Sequence, residues 1–270
     1  MKICVICLSC NLEIFQYQEM VARNTWIKHL KEESIDVYIL KSSNKNYIDK
    51  DIIYCNVEDD IQHTFEKTIE GLKQINEYDY VIRTNLTTYI NAKYLKIYCQ
   101  YMQDNNIDIA NGCLAIKNKI VIYRGNSLVM NNKTYHYLIN YNYKNINHLQ
   151  DDSIFQEIFK TIKGLKIHSV PFRYYCNEGY FIHHPQSIKQ IIENILEGVV
   201  FISYRIILDI NKSNDPKRSN DNMRYIELGR CYEIDSYYNK LKNDKLSDNL
   251  NIIFNLDKNT FIQGSTIIQK

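Results

Sequence analysis

The chain has 270 residues, is 45% hydrophobic with 23 tyrosines, and balances 33 basic against 31 acidic side chains for a net charge of +2. That is ample apolar material for a core, and with no Lys/Arg block it excludes broad polyanion binding, so no nucleic-acid partner is expected. No run of 18 apolar residues occurs, so no membrane span is expected.

The pattern predicts a first strand over Ile3 to Leu8, apolar on both faces as a central parallel strand must be. It carries Cys4 and Cys7 of a C-x-x-C-x-x-C string with Cys10. On a strand Cys4 and Cys7 face opposite sides, and no second cluster completes four ligands, so buried reduced thiols are expected rather than a metal site. With no secretory signal legible, a cytoplasmic location is expected, in a bacterium or a virus-infected host.

A helix follows from about Gln16 to Glu32, with Met20, Val21, Ile27 and Leu30 on its apolar face and Trp26 near it. Asp36 to Leu40 is the second strand, Ser42 to Asp49 a polar loop, Asp51 to Cys55 the third strand, and His63 to Ile75 a helix burying Phe65, Ile69 and Leu72. Tyr80 to Arg83 is the fourth strand. Asn91 then has the character of an N-cap for a helix to Gln103. Asn85, Thr87 and Thr88 fall on the intervening turn, expected exposed and near helical N–H groups that suit phosphate; ion pairing or capping alone would also account for such a turn.

Beyond it, strands are expected at Ile107 to Ala110, Val121 to Tyr123 and Gly125 to Met130, the last leading into a helix from Asn131 to Asn140. Asp151 to Thr161 reads as an amphipathic helix opened by two acids. Lys166 to Val170 and Arg173 to Cys176 are strand-like, Pro185 opens a helix to Leu196, and another helix starts near Lys217. The charged stretch from Lys240 is loosely patterned. One α/β domain over residues 1–240 is expected, with a central mixed, mainly parallel sheet flanked by helices and its cleft at the carboxyl ends of the Ile3–Leu8 and Tyr80–Arg83 strands. Residues 241–270 form a peripheral C-terminal extension in that reading.

Three motifs recur in order: Arg23-Asn24-Thr25-Trp26 on the first helix; Lys67-Thr68 on the helix before Arg83-Thr84-Asn85-Leu86-Thr87; and Asp151-Asp152. Their order and spacing, over about residues 1 to 170, resemble the β-1,3-glycosyltransferase and Fringe-like enzymes of GT-A (Rossmann-like) fold, and bacterial and large-virus glycosyltransferases whose central turn reads Arg-Thr-Asn. The resemblance implies a glycosyltransferase that moves a sugar from a UDP-, GDP- or dTDP-sugar to a glycan or other hydroxyl acceptor, with inversion. It implies Asp152 as the base, with Asp151 second to it. It places Arg23, Lys67, Arg83, Thr84, Asn85, Thr87, His183, Arg205 and Arg218 around the nucleotide sugar. Trp26 either braces that cleft or belongs to the core, and the core is the expectation.

One departure stands out. Where the family carries Asp-x-Asp, this chain has Asn85-Leu86-Thr87. Two carboxylates hold Mn²⁺ or Mg²⁺ against a diphosphate; an amide and a hydroxyl are much poorer ligands for a hard cation. No metal site is therefore expected there. Cationic side chains such as Arg83, Arg205 or Arg218 take the diphosphate charge, or Mn²⁺ or Mg²⁺ is held weakly through the diphosphate, or the protein is a non-catalytic relative that binds a nucleotide or glycan or partners an active enzyme. A nucleotidyltransferase-like relative is a further class, but neither G-x-G-x-x-G nor a Walker A sequence occurs.

Overall fold

The Ile3–Leu8 strand, β1, sits at the centre of the sheet, with Cys4, Val5, Ile6 and Cys7 wholly buried. Its neighbours β2 (Asp36–Ser43) and β5 (Tyr80–Asn85) both run parallel to it, and β4 (Ile52–Asn56) continues the parallel run beyond β2. Only strands apolar on both faces can occupy such positions, because helices cover the sheet above and below. The computed structural model describes residues 1–75, 77–112, 115–117, 120–122, 125–146, 151–170, 172–174, 199–204, 221–241 and 260–262.

The flanks mix directions. β3 (Tyr47–Asp49) lies antiparallel on β4 at one edge. On the other side β10 (Ser127–Asn131) is antiparallel to β5 and to β7 (Ile109–Asn111); β11 (Lys166–His168) is parallel to β7, and β14 (Thr260–Ile262) antiparallel to β11. The result is a nine-stranded mixed sheet in the order β14-β11-β7-β10-β5-β1-β2-β4-β3. The segment from 241 thus supplies an edge strand to the main sheet. A smaller sheet joins β6 (Thr88–Ile90), β13 (Phe201–Ser203) and β12 (Phe172–Tyr174), and β8 (Ala115–Lys117) pairs with β9 (Ile120–Ile122).

Each face has its own helical cover. Val5 and Cys7 pack with α1 (Glu13–Ala22), α2 (Lys28–Glu32), α4 (Ala92–Asp104) and α7 (Asp221–Leu241). Cys4 and Ile6 pack with α3 (Thr64–Gln74), α5 (Asn132–Asn140) and α6 (Asp151–Lys160). Cys4 and Cys7 therefore do face opposite sides, and Trp26 is core, with no exposed surface. Among the described residues no helix is long and apolar enough to cross a membrane.

Three expectations need correction. The first helix begins at Glu13 and is broken by a π-helical turn at Arg23–Ile27, where Thr25 leaves helical geometry and its hydroxyl donates back to the Val21 carbonyl at 2.7 Å. Met20 is 48% exposed rather than apolar-facing, because Val21, about 100° round the helix, takes the core position. The supposed loop from Ser42 contains the end of β2 and all of β3; β3 is exposed throughout and is held on β4 by backbone pairing and by Tyr47 stacked on Tyr54 at 4.4 Å. The Pro185 helix and residues 175 and 176 of the Arg173–Cys176 strand lie outside the described residues.

Candidate active site

β1 and β5 end level with each other, Leu8 opposite Asn85, and β10 enters beside them with Ser127 opposite Thr84. Ser9, Asn85, Gly125 and Asn126 therefore meet at one rim, at the carboxyl ends of the central strands.

Arg83 is the last inward residue before that rim. It faces the α6 side of the sheet and is 2% exposed. Its Nη2 meets Asp151 Oδ2 at 2.6 Å, and the guanidinium lies 5.8 Å from the centre of the Phe155 ring. Asp151 also accepts from the Asp152 N–H at 2.9 Å, in the first turn of α6, where an acid is favoured, while neutralising Arg83. Asp152 Oδ1 accepts from the Gly125 N–H at 2.9 Å. Gly125 is required there: a Cβ at this position would stand 1.6 Å from Arg83 Nη1. Arg83, Gly125, Asp151 and Asp152 form one interlocked unit, and both acids stay partly open to solvent.

The neighbouring cluster centres on a residue that the motifs did not single out. Asp59 accepts from Lys67 Nζ at 2.5 Å, from the Asn11 N–H at 2.7 Å and from Ser42 Oγ at 3.1 Å. Burial alone would raise its pKa, but the bonds from Lys67 and Asn11 hold it below the usual carboxylate value. Lys67, only 5% exposed, also donates to the Ser9 carbonyl at 3.2 Å. Asp59 and Lys67 thus tie α3 to the ends of β1 and β2. The only hint in the sequence was an acid lying between a strand and a helix.

The central turn differs from expectation. Asn85 is partly exposed, but Thr84 is buried with its hydroxyl on the Asn126 carbonyl at 2.9 Å. Thr87 and Thr88 are buried as well, and the chain enters β6 rather than a helix. Asn91 does cap α4, accepting from the Tyr94 N–H at 3.2 Å, but β6 separates that helix start from Asn85. β6 forms by pairing with β13, more than 100 residues away in sequence, and local pattern carries no trace of such a partner. The Thr87 and Thr88 hydroxyls are buried with no hydrogen-bond partner among the described residues.

Arg23 is a brace and not a rim residue. It lies more than two turns along α1 from the rim and is held by Asp51 at 2.5 and 3.0 Å and by Glu19 at 3.1 Å. Asp51 stands at the amino end of β4. Burial would raise its carboxyl, yet the bonds from Arg23 and Lys31 bring it down to about 2. His183, Arg205 and Arg218 lie outside the described residues.

The donor set at the turn does not fit a hard divalent cation. Asn85 and Thr87 offer an amide and a buried hydroxyl. Among the described residues one group of three potential ligands comes within 4.8 Å, Glu58, Asp60 and His63. Asp60 there accepts the Gln62 and His63 N–H groups at 2.8 and 2.9 Å, which is the geometry of a helix start.

No protein-family model matches the sequence, and no curated protein matches it. Among solved structures, the galactosyltransferase LgtC, in complex with donor and acceptor sugar analogs, aligns with a TM-score of 0.47 and 12% identity over 85% of this chain and 96% of its own. Residues 1–349 of TarS from S. aureus, in complex with UDP, align with a TM-score of 0.40 and 11% identity over 90% of this chain and 75% of that one.

Proposed function

We propose that the chain is a glycosyltransferase, moving a sugar from a nucleotide-sugar donor to a hydroxyl acceptor with inversion. The observation that carries this reading is the linkage of the Asp151-Asp152 pair to the rim of β5: Arg83 holds Asp151, and Gly125 holds Asp152. Arg83, Asp151 and Asp152 are residues that the motif order singles out, from two separate segments of the chain, and Gly125 joins them from a third.

In this reading the acceptor oxygen attacks the anomeric carbon as its proton passes to the Asp152 carboxylate. The bond from that carbon to the diphosphate breaks, and the nucleoside diphosphate leaves with the electron pair. A carboxylate that accepts a backbone N–H and stays partly open to solvent can take that proton. Arg83 serves as a positioning residue, since Asp151 already occupies its charge. No step runs through a metal, because the turn lacks the carboxylates to hold one, and dependence on Mn²⁺ or Mg²⁺ should be weak or absent.

The second reading is a non-catalytic relative that binds a nucleotide or glycan, or partners an active enzyme. The neutral Asn85-Leu86-Thr87 turn favours it. Calorimetric titration with UDP-, GDP- and dTDP-linked sugars, with and without Mn²⁺, followed by a transfer assay, separates the two. Binding of a donor without Mn²⁺, plus transfer, supports the enzyme. Binding without transfer supports the second reading, and binding of no donor removes both.

A further inference from the structure

A cleft of about 550 Å³ opens at the opposite edge of the sheet. It lies at the amino ends of β7 and β11, marked by Asp108 and Leu165, while the candidate active site lies at the carboxyl ends of β1 and β5. Its walls are α5 from Lys133 to Asn140 with the turn after it, and the connection from α6 to β11. That volume is in the range of small-ligand sites.

The lining has a definite chemistry. The Tyr137 and Tyr141 rings lie 6.0 Å apart, tilted by 42°. Tyr137 is 38% exposed, and its hydroxyl bonds to Thr161 Oγ1 at 2.7 Å, which fixes the ring. Asn140 spends its amide N–H on the His136 carbonyl at 2.8 Å, and Asn142 accepts from the Lys144 N–H at 3.3 Å. Among the described residues this leaves an amide oxygen on Asn140 and an amide NH₂ on Asn142 for a ligand: one acceptor and one donor.

Charge in the cleft is net positive. Among its described lining residues Asp108 is the one carboxylate; it accepts from Asn131 Nδ2 at 3.0 Å and the Lys166 N–H at 2.9 Å, keeps its charge, and is outnumbered by two lysines. Lys133 and Lys163 are exposed and make no ion pair among the described residues. Aromatic faces meet the apolar face of a sugar ring, the amide pair meets its hydroxyls, and the ammonium groups meet a carboxylate or phosphate by charge-assisted hydrogen bonds.

We propose that this cleft binds an acidic oligosaccharide, at a site separate from the β1–β5 rim. The ten residues of α6 span about 15 Å between Asp151 and the cleft, so an occupant leaves the rim open. The proposal requires no chemistry at Asp152 and stands apart from the transfer reading.

The test is binding to a panel of immobilised neutral and acidic oligosaccharides, comparing wild type with Lys133→Glu/Lys163→Glu, Tyr137→Ala and Tyr137→Phe. These positions are exposed, so folding should hold, and unchanged melting temperature and far-UV circular dichroism verify it. The expected result is retention of acidic glycans by wild type and by Tyr137→Phe, weakened about tenfold or more in the other two. No retention, retention of neutral glycans alone, or equal retention by all variants would overturn the proposal. Competition by inorganic phosphate or UMP as effective as the free glycan would overturn it too, by making the cleft a simple anion or nucleotide site.

Discussion

Arg83 concentrates the site in one side chain. It is almost fully buried, its charge is matched by Asp151, and the Gly125 backbone lies against its guanidinium. Gly125→Ala should therefore expel the guanidinium and disturb both acids at once. Its expected outcome is a loss of about 2–3 kcal/mol in urea unfolding, below the range for a fully buried pair because Asp151 keeps contact with water, together with loss of transfer. Wild-type stability in this variant would show that the loop yields and Arg83 does not depend on it. Asp152→Asn keeps shape and should lower turnover by about 10²–10⁴ while donor affinity stays near wild type; unchanged turnover per folded molecule leaves the acid as structure only. From sequence, both acids look like exposed charges at a helix start, each worth under about 1 kcal/mol. The ion pair changes that for Asp151, whose neutralisation strands a buried cation. Such pairings explain what was legible and what was not. Asp151 and Asp152 stand out by position on a helix, whereas Arg23 carries the same kind of motif and yet braces Asp51, 28 residues on.

At the scale of elements, α7 is held on the sheet by a buried carboxylate. Asp235 accepts from Tyr89 Oη at 3.1 Å and Asn239 Nδ2 at 3.0 Å, shares a hydrogen bond with His29 Nε2 at 2.9 Å, and has Lys28 at 3.5 Å. It joins α2, β6 and α7, and Thr25 of the π-helical turn adds a contact to Cys231 at 3.2 Å. Asp235→Ala removes the acceptor of two buried groups, Tyr89 Oη and His29 Nε2, and should cost about 2–4 kcal/mol. The loss should be local: in hydrogen exchange the amides from Leu228 to Tyr238 should lose protection before those of β1 and β5. Uniform loss over the sheet would mean that α7 is not a separable unit. Helices and central strands were legible because each carries its own period of burial, as Phe65, Ile69 and Leu72 do on α3. β3 and β6 were not, because one is exposed and the other depends on a distant partner.

For the molecule as a whole, the central strands and their mainly parallel character were legible as apolar runs; their order in the sheet and the antiparallel flank were not, since short strands such as β7 and β11 give no direction. That flank contains the group that should set the response to acid. His168, on β11, is wholly buried, with Nδ1 bonded to Tyr98 Oη and the Tyr98 and Tyr101 rings at 5.7 and 5.5 Å. Burial, helped by Lys166, lowers its pKa to about 4. Between an unfolded value of about 6.5 and that folded value, the unfolded chain takes up a proton that the folded protein refuses. Stability should fall as pH drops through this window, by about 3 kcal/mol once pH 4 is reached. Asp51 acts lower: its folded value of about 2 lies below the unfolded 3.8, so its contribution is complete above about pH 4 and fades toward pH 2. His63, raised by its bond to Asp60, runs the opposite way, but it sits at the surface and adds little. The two acid windows scarcely overlap, so a substitution can separate them. Urea unfolding of wild type at pH 7.5, 6, 5 and 4 should show a steady loss. His168→Leu should flatten the curve between pH 6.5 and 4 and leave the steeper loss below pH 4 in place. Parallel curves for the two proteins would assign the first window to some other group.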